Sequence, residues 1–277
     1  MSTLIVFLAA IFGLIIGSFM NVVILRTHTK RNLNGYSHCM SCGTRLTVPD
    51  LVPVFSYLVL LGRCRHCGAR ISPRYFIIEA ATALLFAFIV SLGLGVIPTA
   101  LELLFASLLL IIFVYDVDHL IIPDEYVVAL IPVGILMTLF ADGSFALPPW
   151  SFIFAGAFPF VFLGGLWKIS KGQWIGLGDA KLSVPLGIVV GLTQAFSLVV
   201  FAFWIGAVVS VVFLIIQKLL ARGQKYLRFL RTPLTMKTEV PFAPFLIASY
   251  ALVHFIHADV FALTNAAMSY CAHLFFR

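Results

Sequence analysis

Eight apolar runs of roughly membrane-spanning length divide this chain of 277 residues. A transmembrane helix needs about 20 residues. A hydrophobic fraction of 62%, a charged fraction of only 10% and a mean hydropathy of +1.09 exclude an ordinary soluble domain. We therefore predict an all-α polytopic membrane protein with about eight transmembrane helices. The predicted spans, of which the fourth and sixth are short, lie near residues 4–25, 77–97, 99–115, 126–141, 150–167, 180–193, 196–217 and 240–257.

The first span resembles a secretory signal only superficially. It has no basic segment before it, it is longer than a signal core, and no small-x-small cleavage site precedes Arg26. We predict a retained helix. Gly17-Ser18-Phe19-Met20-Asn21 near its end places small and polar groups where a second helix can pack closely.

Basic residues predict the orientation, since Lys and Arg are retained on the cytoplasmic side. All but one of the 18 Lys and Arg residues lie in segments 26–75, 168–181 and 218–237. With eight spans these segments share one face, so we predict that they are cytoplasmic. The exception is Arg277. Positive-inside topology and anionic lipid account for the net charge of +7, and no nucleic-acid partner is expected.

The first polar segment contains two C-x-x-C-G turns, Cys39 to Gly43 and Cys64 to Gly68. Each turn can present two thiolates to one tetrahedral ion, and four sulfur ligands make a closed structural zinc site. We predict that Cys39, Cys42, Cys64 and Cys67 bind zinc. A redox dithiol or a pair of disulfides is the alternative, but a cytoplasmic location disfavours disulfides.

Two aspartates stand at the ends of apolar runs, where a carboxylate usually marks chemistry or a transport path. Asp116 follows Val114-Tyr115, and Asp179 follows Gly176-Leu177-Gly178. Two predicted spans lie between them, so both reach the same membrane face. Two carboxylates within hydrogen-bonding distance can share one proton and activate a water. We predict that this pair is catalytic.

A structural role is the alternative for each acidic residue of this region. Asp179 precedes an apolar helix and could be a helix N-cap, and Asp124 after Pro123 is expected mainly to be one. Asp118 is interpreted as a supporting residue or an alternative base. Lys181 could pair with a nearby carboxylate or with lipid phosphate.

The motifs together resemble the type IV prepilin peptidases, a family of Gly-x-Gly-Asp intramembrane aspartic proteases. The resemblance covers most of the chain. It rests on the following segments: 17–22, the paired cysteine turns, 52–57, 62–67, 71–75 with Glu79, 116–124, 176–181 and 241–245. Met40 stands where the family commonly has proline, and Ala243 where it commonly has glycine; the second change could alter a backbone approach near the active site or the methyl donor.

The resemblance implies a specific activity. The chain would remove the short basic leader of type IV prepilins or pseudopilins after a glycine, at the cytoplasmic face of the bacterial inner membrane, with Asp116 and Asp179 as the catalytic pair. Many members also methylate the new N-terminal residue with S-adenosylmethionine, and this chain resembles the bifunctional type. Glu79 could hold the basic leader or the amine, or form an ion pair with Arg74.

We accordingly expect three regions: a first transmembrane helix at 1–25, a cytoplasmic zinc-binding loop at 26–75 and a membrane-embedded aspartic peptidase domain at 76–277. The expected partners are prepilin or pseudopilin substrates and membrane lipid. A cation transporter with intramembrane carboxylates and a metal-sensing cysteine loop is the alternative, although the sequence lacks the internal repeat usual in transporters.

Overall fold

The computed structural model describes residues 2–29, 35–141, 149–222 and 240–265. These residues form α-helices and one 3₁₀ turn, Val48–Asp50, without an extended strand among them. The helices are α1 (Thr3–Thr29), α2 (Phe55–Val59), α3 (Pro73–Ser91), α4 (Val96–His119), α5 (Asp124–Ala141), α6 (Pro149–Ser170), α7 (Leu177–Val190), α8 (Leu192–Arg222) and α9 (Ala243–Ile256).

The predicted all-α fold class is confirmed, and each of the eight predicted spans contains a helix. Within the described residues, five helical segments are long and apolar enough to cross a membrane. They are Thr3–Thr27, Pro73–Ser91, Val96–His119, Trp150–Ser170 and Leu192–Ile216. Helix α9 is a shorter apolar helix, and α7 has only 14 residues. Most of the predicted basic segment 218–237, and Arg277, lie outside the described residues.

Contacts divide the chain into two units, Met1–Val114 and Tyr115–Arg277, with the boundary inside α4. In the first unit α1 packs along α3. A Cβ added at Gly13 would lie 2.8 Å from the Cα of Ala83, and one at Gly17 would lie 2.8 Å from the Cα of Glu79. Small residues permit such close helix approach in lipid, where apolar surface alone does not drive helices together. The packing predicted near Gly17 is therefore present.

The end of α1 is also fixed by a polar contact. Asn21, which is buried, donates from Nδ2 to the carbonyl oxygen of Tyr75 at 3.2 Å, and Met20 is buried beside Thr82. This bond joins α1 to the first turn of α3. It holds the two ends of the intervening cysteine-containing loop close together.

Helix α7 is the central element of the second unit. It packs against α5, α6, α8 and α9, and its residues Leu182, Ser183 and Leu186 have no exposed surface. Gly187 contacts the backbone of Ala155 in α6 so closely that a Cβ would overlap the Ala155 carbonyl oxygen. Although this helix has only 14 residues, the helices that surround it hold it in a fixed position.

Asp259 begins a further helical turn at 260–265. Its Oδ1 accepts hydrogen bonds from the Ser197 hydroxyl at 2.9 Å and from the Phe261 N–H at 3.0 Å. The same serine oxygen accepts the Val260 N–H at 3.1 Å. The chain just after α9, at residues 259–261, is thus attached to α8.

We predict that Gly13→Ala lowers the free energy of unfolding by about 1–3 kcal/mol, because the new methyl group would overpack the α1–α3 contact. Gly165→Ala is the matched control, since a Cβ there meets nothing within 4 Å; it should leave stability unchanged or slightly raised. Thermal unfolding of the purified protein in detergent measures both. Equal effects at the two positions would contradict the close packing of α1 on α3.

Candidate functional site

The two cysteine turns have the same backbone design. In the first, the Cys39 N–H donates to Thr44 and the Gly43 N–H donates to the Cys39 carbonyl oxygen, both at 2.9 Å. In the second, Cys64 and Gly68 repeat these bonds with Ala69 and Cys64. Gly43 and Gly68 have φ of +71° and +69°, a conformation that glycine adopts without the steric cost of a side chain. The sequence pattern therefore predicted the local fold correctly.

The turns bring four thiols together. The Sγ atoms of Cys39, Cys42, Cys64 and Cys67 all lie within 4.8 Å of one another, and those of Cys39 and Cys67 are 3.9 Å apart. These cysteines are free rather than disulfide-bonded. A tetrahedral ion with metal–sulfur bonds of about 2.3 Å holds its sulfurs about 3.8 Å apart. The cluster could hold a metal ion.

An ion pair fastens the second cysteine turn to the preceding loop. The Nε of Arg65 donates to Oδ1 of Asp50 at 2.8 Å. The hydroxyl and N–H of Thr47 donate to Oδ2 of the same carboxylate at 2.6 and 3.1 Å. The Thr47 bonds, assisted by Arg65, lower the pKa of Asp50 to about 2. Asp50 therefore stays ionised at physiological pH, and the clamp between the loop and the turn persists.

Asp116 lies in the last turns of α4 and is buried, with 5% of its surface exposed. Its carboxylate accepts the backbone N–H of Ala243, the first residue of α9. The N–H groups of a first helical turn have no partner within the helix and carry partial positive charge. The start of α9 thus supplies a donor to a carboxylate that is otherwise shielded from water.

Asp179 occupies the first turn of α7 and is 7% exposed. Its Oδ2 accepts the N–H of Gly176 at 3.2 Å. Helix α7 begins at Leu177, so the N-cap is Gly176 and not Asp179. The N-cap alternative for Asp179 is wrong in position, although its carboxylate does satisfy a backbone donor at the helix start.

The structure brings the two aspartates together, since their carboxylates are close enough to interact electrostatically. Each keeps one buried oxygen, Oδ2 of Asp116 and Oδ1 of Asp179, that accepts no hydrogen bond from the part of the chain that the structure describes. Buried polar oxygens normally have a partner. These two oxygens are therefore the groups available to a water or a substrate.

The glycines beside Asp179 have separate steric functions. A Cβ on Gly176 would lie 3.1 Å from the Asp179 Oδ2, and one on Gly178 would lie 3.1 Å from the Cβ of Ile122. Ile122 belongs to the short connection that follows Asp116. Gly176 thus leaves space for the carboxylate, while Gly178 lets α7 approach the chain segment that carries the other aspartate.

The other candidate residues do not join the buried pair. Asp118 is exposed. Asp124 was expected mainly to be an N-cap, but it is the first residue of α5 itself, and its carboxylate accepts two hydrogen bonds from the Nζ of Lys181 at 2.8 and 2.9 Å. Lys181 therefore pairs with a carboxylate, one of the two roles that its sequence position allowed. This exposed pair connects α5 to α7 near the site.

Ala243 is the residue whose role the sequence described least well. The sequence drew attention to its side chain, because similar chains commonly have glycine at this position. In the structure, however, Ala243 acts through its backbone N–H, which donates to Asp116. The signal was its place between Pro241 and Pro244 at the start of an apolar run. Which carboxylate that N–H would reach required the tertiary structure.

Comparisons with known proteins agree with this arrangement. The family model described as the bacterial peptidase A24 N-terminal domain matches residues 11–92, and that of the type IV leader peptidase family matches residues 103–211. A Bacillus subtilis protein named prepilin leader peptidase/N-methyltransferase is 31% identical over 258 residues, which cover 90% of this chain and 93% of that protein. The chain belongs to the type IV leader peptidase family.

Other members of the leader peptidase family are similarly related. Proteins with the same name from Vibrio cholerae and Neisseria gonorrhoeae are each 31% identical, over 224 and 235 residues. The first match covers 73% of this chain and 87% of that protein, and the second covers 74% and 81%. No solved structure matches the chain. The predicted family is confirmed, and the cation-transporter alternative is not favoured.

The family assignment also confirms the predicted enzyme class, a leader peptidase that is also a methyltransferase. With the apolar helices, it indicates a multi-pass protein of the bacterial inner membrane. The four cysteines fall within the region matched by the N-terminal domain, and both aspartates fall within the region matched by the leader peptidase family.

We predict that Gly178→Val destabilises this leader peptidase by about 1–3 kcal/mol, because its methyl groups would collide with Ile122. Ile122→Ala in the same chain should recover part of the loss. A double-mutant cycle on thermal unfolding in detergent should give an interaction energy of about 0.5–3 kcal/mol. If the two changes in the free energy of unfolding were additive, residues 178 and 122 would not be in contact.

Proposed function

We propose that Asp116 and Asp179 form the catalytic dyad of a peptidase that removes the leader of type IV prepilins or pseudopilins. The observation that carries this proposal is the pair of buried, mutually close carboxylates, each with one oxygen that accepts no hydrogen bond from the described residues. Both residues lie in the unit Tyr115–Arg277. The reaction needs no metal at this pair.

In the proposed mechanism the dyad shares one proton, because two carboxylates at close range in a water-poor site do not both ionise. The ionised aspartate accepts a proton as water adds to the scissile carbonyl carbon, and the protonated aspartate donates to the carbonyl oxygen. The tetrahedral intermediate is a gem-diol; as its C–N bond breaks, the amine takes the proton from the protonated aspartate, and one hydroxyl of the gem-diol gives its proton to the other carboxylate as the new carboxyl group forms. One water is consumed and the dyad regains its initial state.

The Ala243 and Gly176 N–H groups would fix the orientation of the dyad during this cycle. Each donor belongs to the start of a helix, so it cannot rotate away independently. Each N–H binds one oxygen of its carboxylate. The second oxygen of each aspartate is then available to the water and the scissile bond. Backbone donors at fixed positions require little reorganisation during the reaction.

The proposed substrate fits a membrane-embedded site. A prepilin is a hydrophobic helix preceded by a short basic leader; its helix can lie in the bilayer while the bond after a glycine reaches the aspartates. The basic segments of the chain support a cytoplasmic location for the dyad and the cysteine loop. We propose that the substrate enters laterally from the lipid. We also propose that region 76–277 carries the peptidase function, after a first transmembrane helix at 1–25 and the cysteine-containing loop at 26–75.

We propose further that the cysteine cluster binds one structural Zn²⁺. Four thiolates within 4.8 Å of one another suit this ion and leave no ligand position for water. In the described part of the loop between α1 and α3, the helical elements are short: the turn Val48–Asp50 and the five-residue helix α2. A bound ion would stabilise the paired turns, and the cleavage reaction would not depend on it.

The second proposed activity is N-methylation of the residue that cleavage exposes. The relatives named N-methyltransferase support it. S-adenosylmethionine, when bound, supplies an electrophilic methyl group on a sulfonium; the amine nitrogen gains the methyl group and loses a proton, and the sulfur retains the bonding electron pair as a thioether. The chain must then hold a cationic, nucleoside-containing molecule in addition to its peptide substrate.

We predict that Asp116→Asn and Asp179→Asn each lower kcat/KM for prepilin cleavage by roughly 10³-fold, since each removes a group that transfers protons. Cleavage of a purified prepilin in liposomes, followed by mass spectrometry of the released leader, measures the effect. Asp118→Asn, an exposed neighbour on the same helix, is the matched control and should retain activity. Full activity in either dyad variant with a normal melting temperature would disprove the assignment.

We predict one Zn²⁺ per chain in protein purified under reducing conditions, measured by elemental mass spectrometry. Cys42→Ser should remove most of the zinc and lower the melting temperature, because the closed site loses one of four ligands. Ser41→Ala, in the same turn, should leave both unchanged. Cleavage should persist in the zinc-depleted protein. A fully folded, reduced protein without zinc would contradict the proposed metal site.

A further inference from the structure

A cavity of about 940 Å³ lies within the unit Met1–Val114, and neither Asp116 nor Asp179 is among the residues that line it. The end of α1, the cysteine-containing loop and the first turns of α3 form its walls. Sites for small molecules have volumes of roughly 300–1,000 Å³ and combine apolar walls with a few placed polar groups. The cavity has the size of such a site, and its polar groups indicate what would bind there.

Glu79 contributes a buried carboxylate to the cavity wall. It is 8% exposed, its Oε2 accepts the Val54 N–H at 2.7 Å, and the Ser18 hydroxyl is a second hydrogen-bonding partner. Both partners are neutral. A buried carboxylate held by neutral donors retains its attraction for a cation, so a positively charged ligand would be stabilised beside it.

Val54, which donates its N–H to this carboxylate, has a strained backbone conformation. Val54 has φ of +62°, a region that β-branched residues rarely adopt. Such strain persists only where the surrounding structure enforces it, and it is concentrated at functional sites. The loop therefore holds Glu79 in one position at a cost in backbone energy.

The remaining wall groups suit a nucleoside with a cationic sulfur. Tyr57 and Phe76 line the cavity with ring centroids 5.5 Å apart; aromatic faces attract cations and stack on nucleobases. Asn21 is 3% exposed, and its Oδ1 accepts no hydrogen bond from the described residues. This oxygen can accept an N–H of a ligand. Arg26 and Arg70 also line the cavity and could bind a carboxylate.

We propose that this cavity is the binding site for the sulfonium methyl donor S-adenosylmethionine, with the Glu79 carboxylate facing the cationic end of the ligand. The assignment rests on the proposed methyl transfer and extends it by locating the donor in the first unit, whereas the peptide-cleaving dyad belongs to the second. Glu79 and Asn21 are binding residues in this assignment. The donor site in this assignment contains neither Asp116 nor Asp179.

Donor binding can be measured without catalysis. The intact protein in lipid nanodiscs is dialysed against tritiated S-adenosylmethionine, and ultraviolet crosslinking followed by peptide mapping locates the label. Glu79→Gln keeps an oxygen for the Val54 N–H but removes the charge, and it should weaken binding at least tenfold. Glu125→Gln, an exposed glutamate in α5, is the matched control and should bind as the unaltered protein does. Zinc content and melting temperature verify the fold of each variant.

A second variant and a pre-processed substrate separate the possible failures. Asn21→Ala should also weaken binding, and the crosslinks should map to residues 18–79. Methylation is assayed on a pilin peptide whose N-terminus is already exposed, so that cleavage is not required. If the unaltered protein binds and methylates but Glu79→Gln binds equally well, or the label maps to 115–265, the cavity assignment is wrong and the proposed activity stands. If the unaltered protein neither binds nor methylates, the proposed methyl transfer fails and the assignment fails with it.

Discussion

Backbone N–H groups at the starts of two helices hold the buried aspartates, and the arrangement of the second unit depends on this. A carboxylate shielded from water is costly unless it accepts hydrogen bonds. Asp116 accepts from Ala243 at the start of α9, and Asp179 accepts from Gly176 at the start of α7. Helix starts provide these donors without introducing a cation, which would fix both carboxylates in the ionised state. The charge therefore remains adjustable, as an acid–base pair requires.

Close backbone approach is the second constraint, and glycine meets it in both units. Gly13 and Gly17 allow α1 to pack along α3, and Gly187 allows α7 to pack along α6. A side chain at any of these positions would overlap the backbone of the neighbouring helix. The same requirement operates at the site itself, where Gly178 contacts Ile122. In the Gly-x-Gly-Asp sequence, Gly178 thus permits packing against Ile122, and Gly176 leaves space for the Asp179 carboxylate.

The sequence predicted the helices because their apolar runs are long, and it predicted the cysteine turns because ligand spacing and glycine position fix their shape. It also identified Asp116 and Asp179 as a pair from the number of spans between them. It could not identify the donor to Asp116, since every residue except proline carries an N–H and only tertiary packing selects Ala243. The start of α7 was misplaced for a related reason, because an aspartate at the third position of a helix produces the same sequence pattern as an N-cap.

The aspartate dyad and Glu79 compensate a buried charge in different ways, and each way suits a different chemistry. Asp116 and Asp179 lie beside each other, so a shared proton can reduce their repulsion and serve hydrolysis. Among the described residues, the hydrogen-bonding partners of Glu79 are the neutral groups of Val54 and Ser18, in a unit that does not contain the dyad. Its charge is best compensated by a ligand that carries the opposite sign. The proposed proton transfer and the proposed binding of a sulfonium cation place opposite demands on a carboxylate, so the two proposed activities are best served by separate carboxylates.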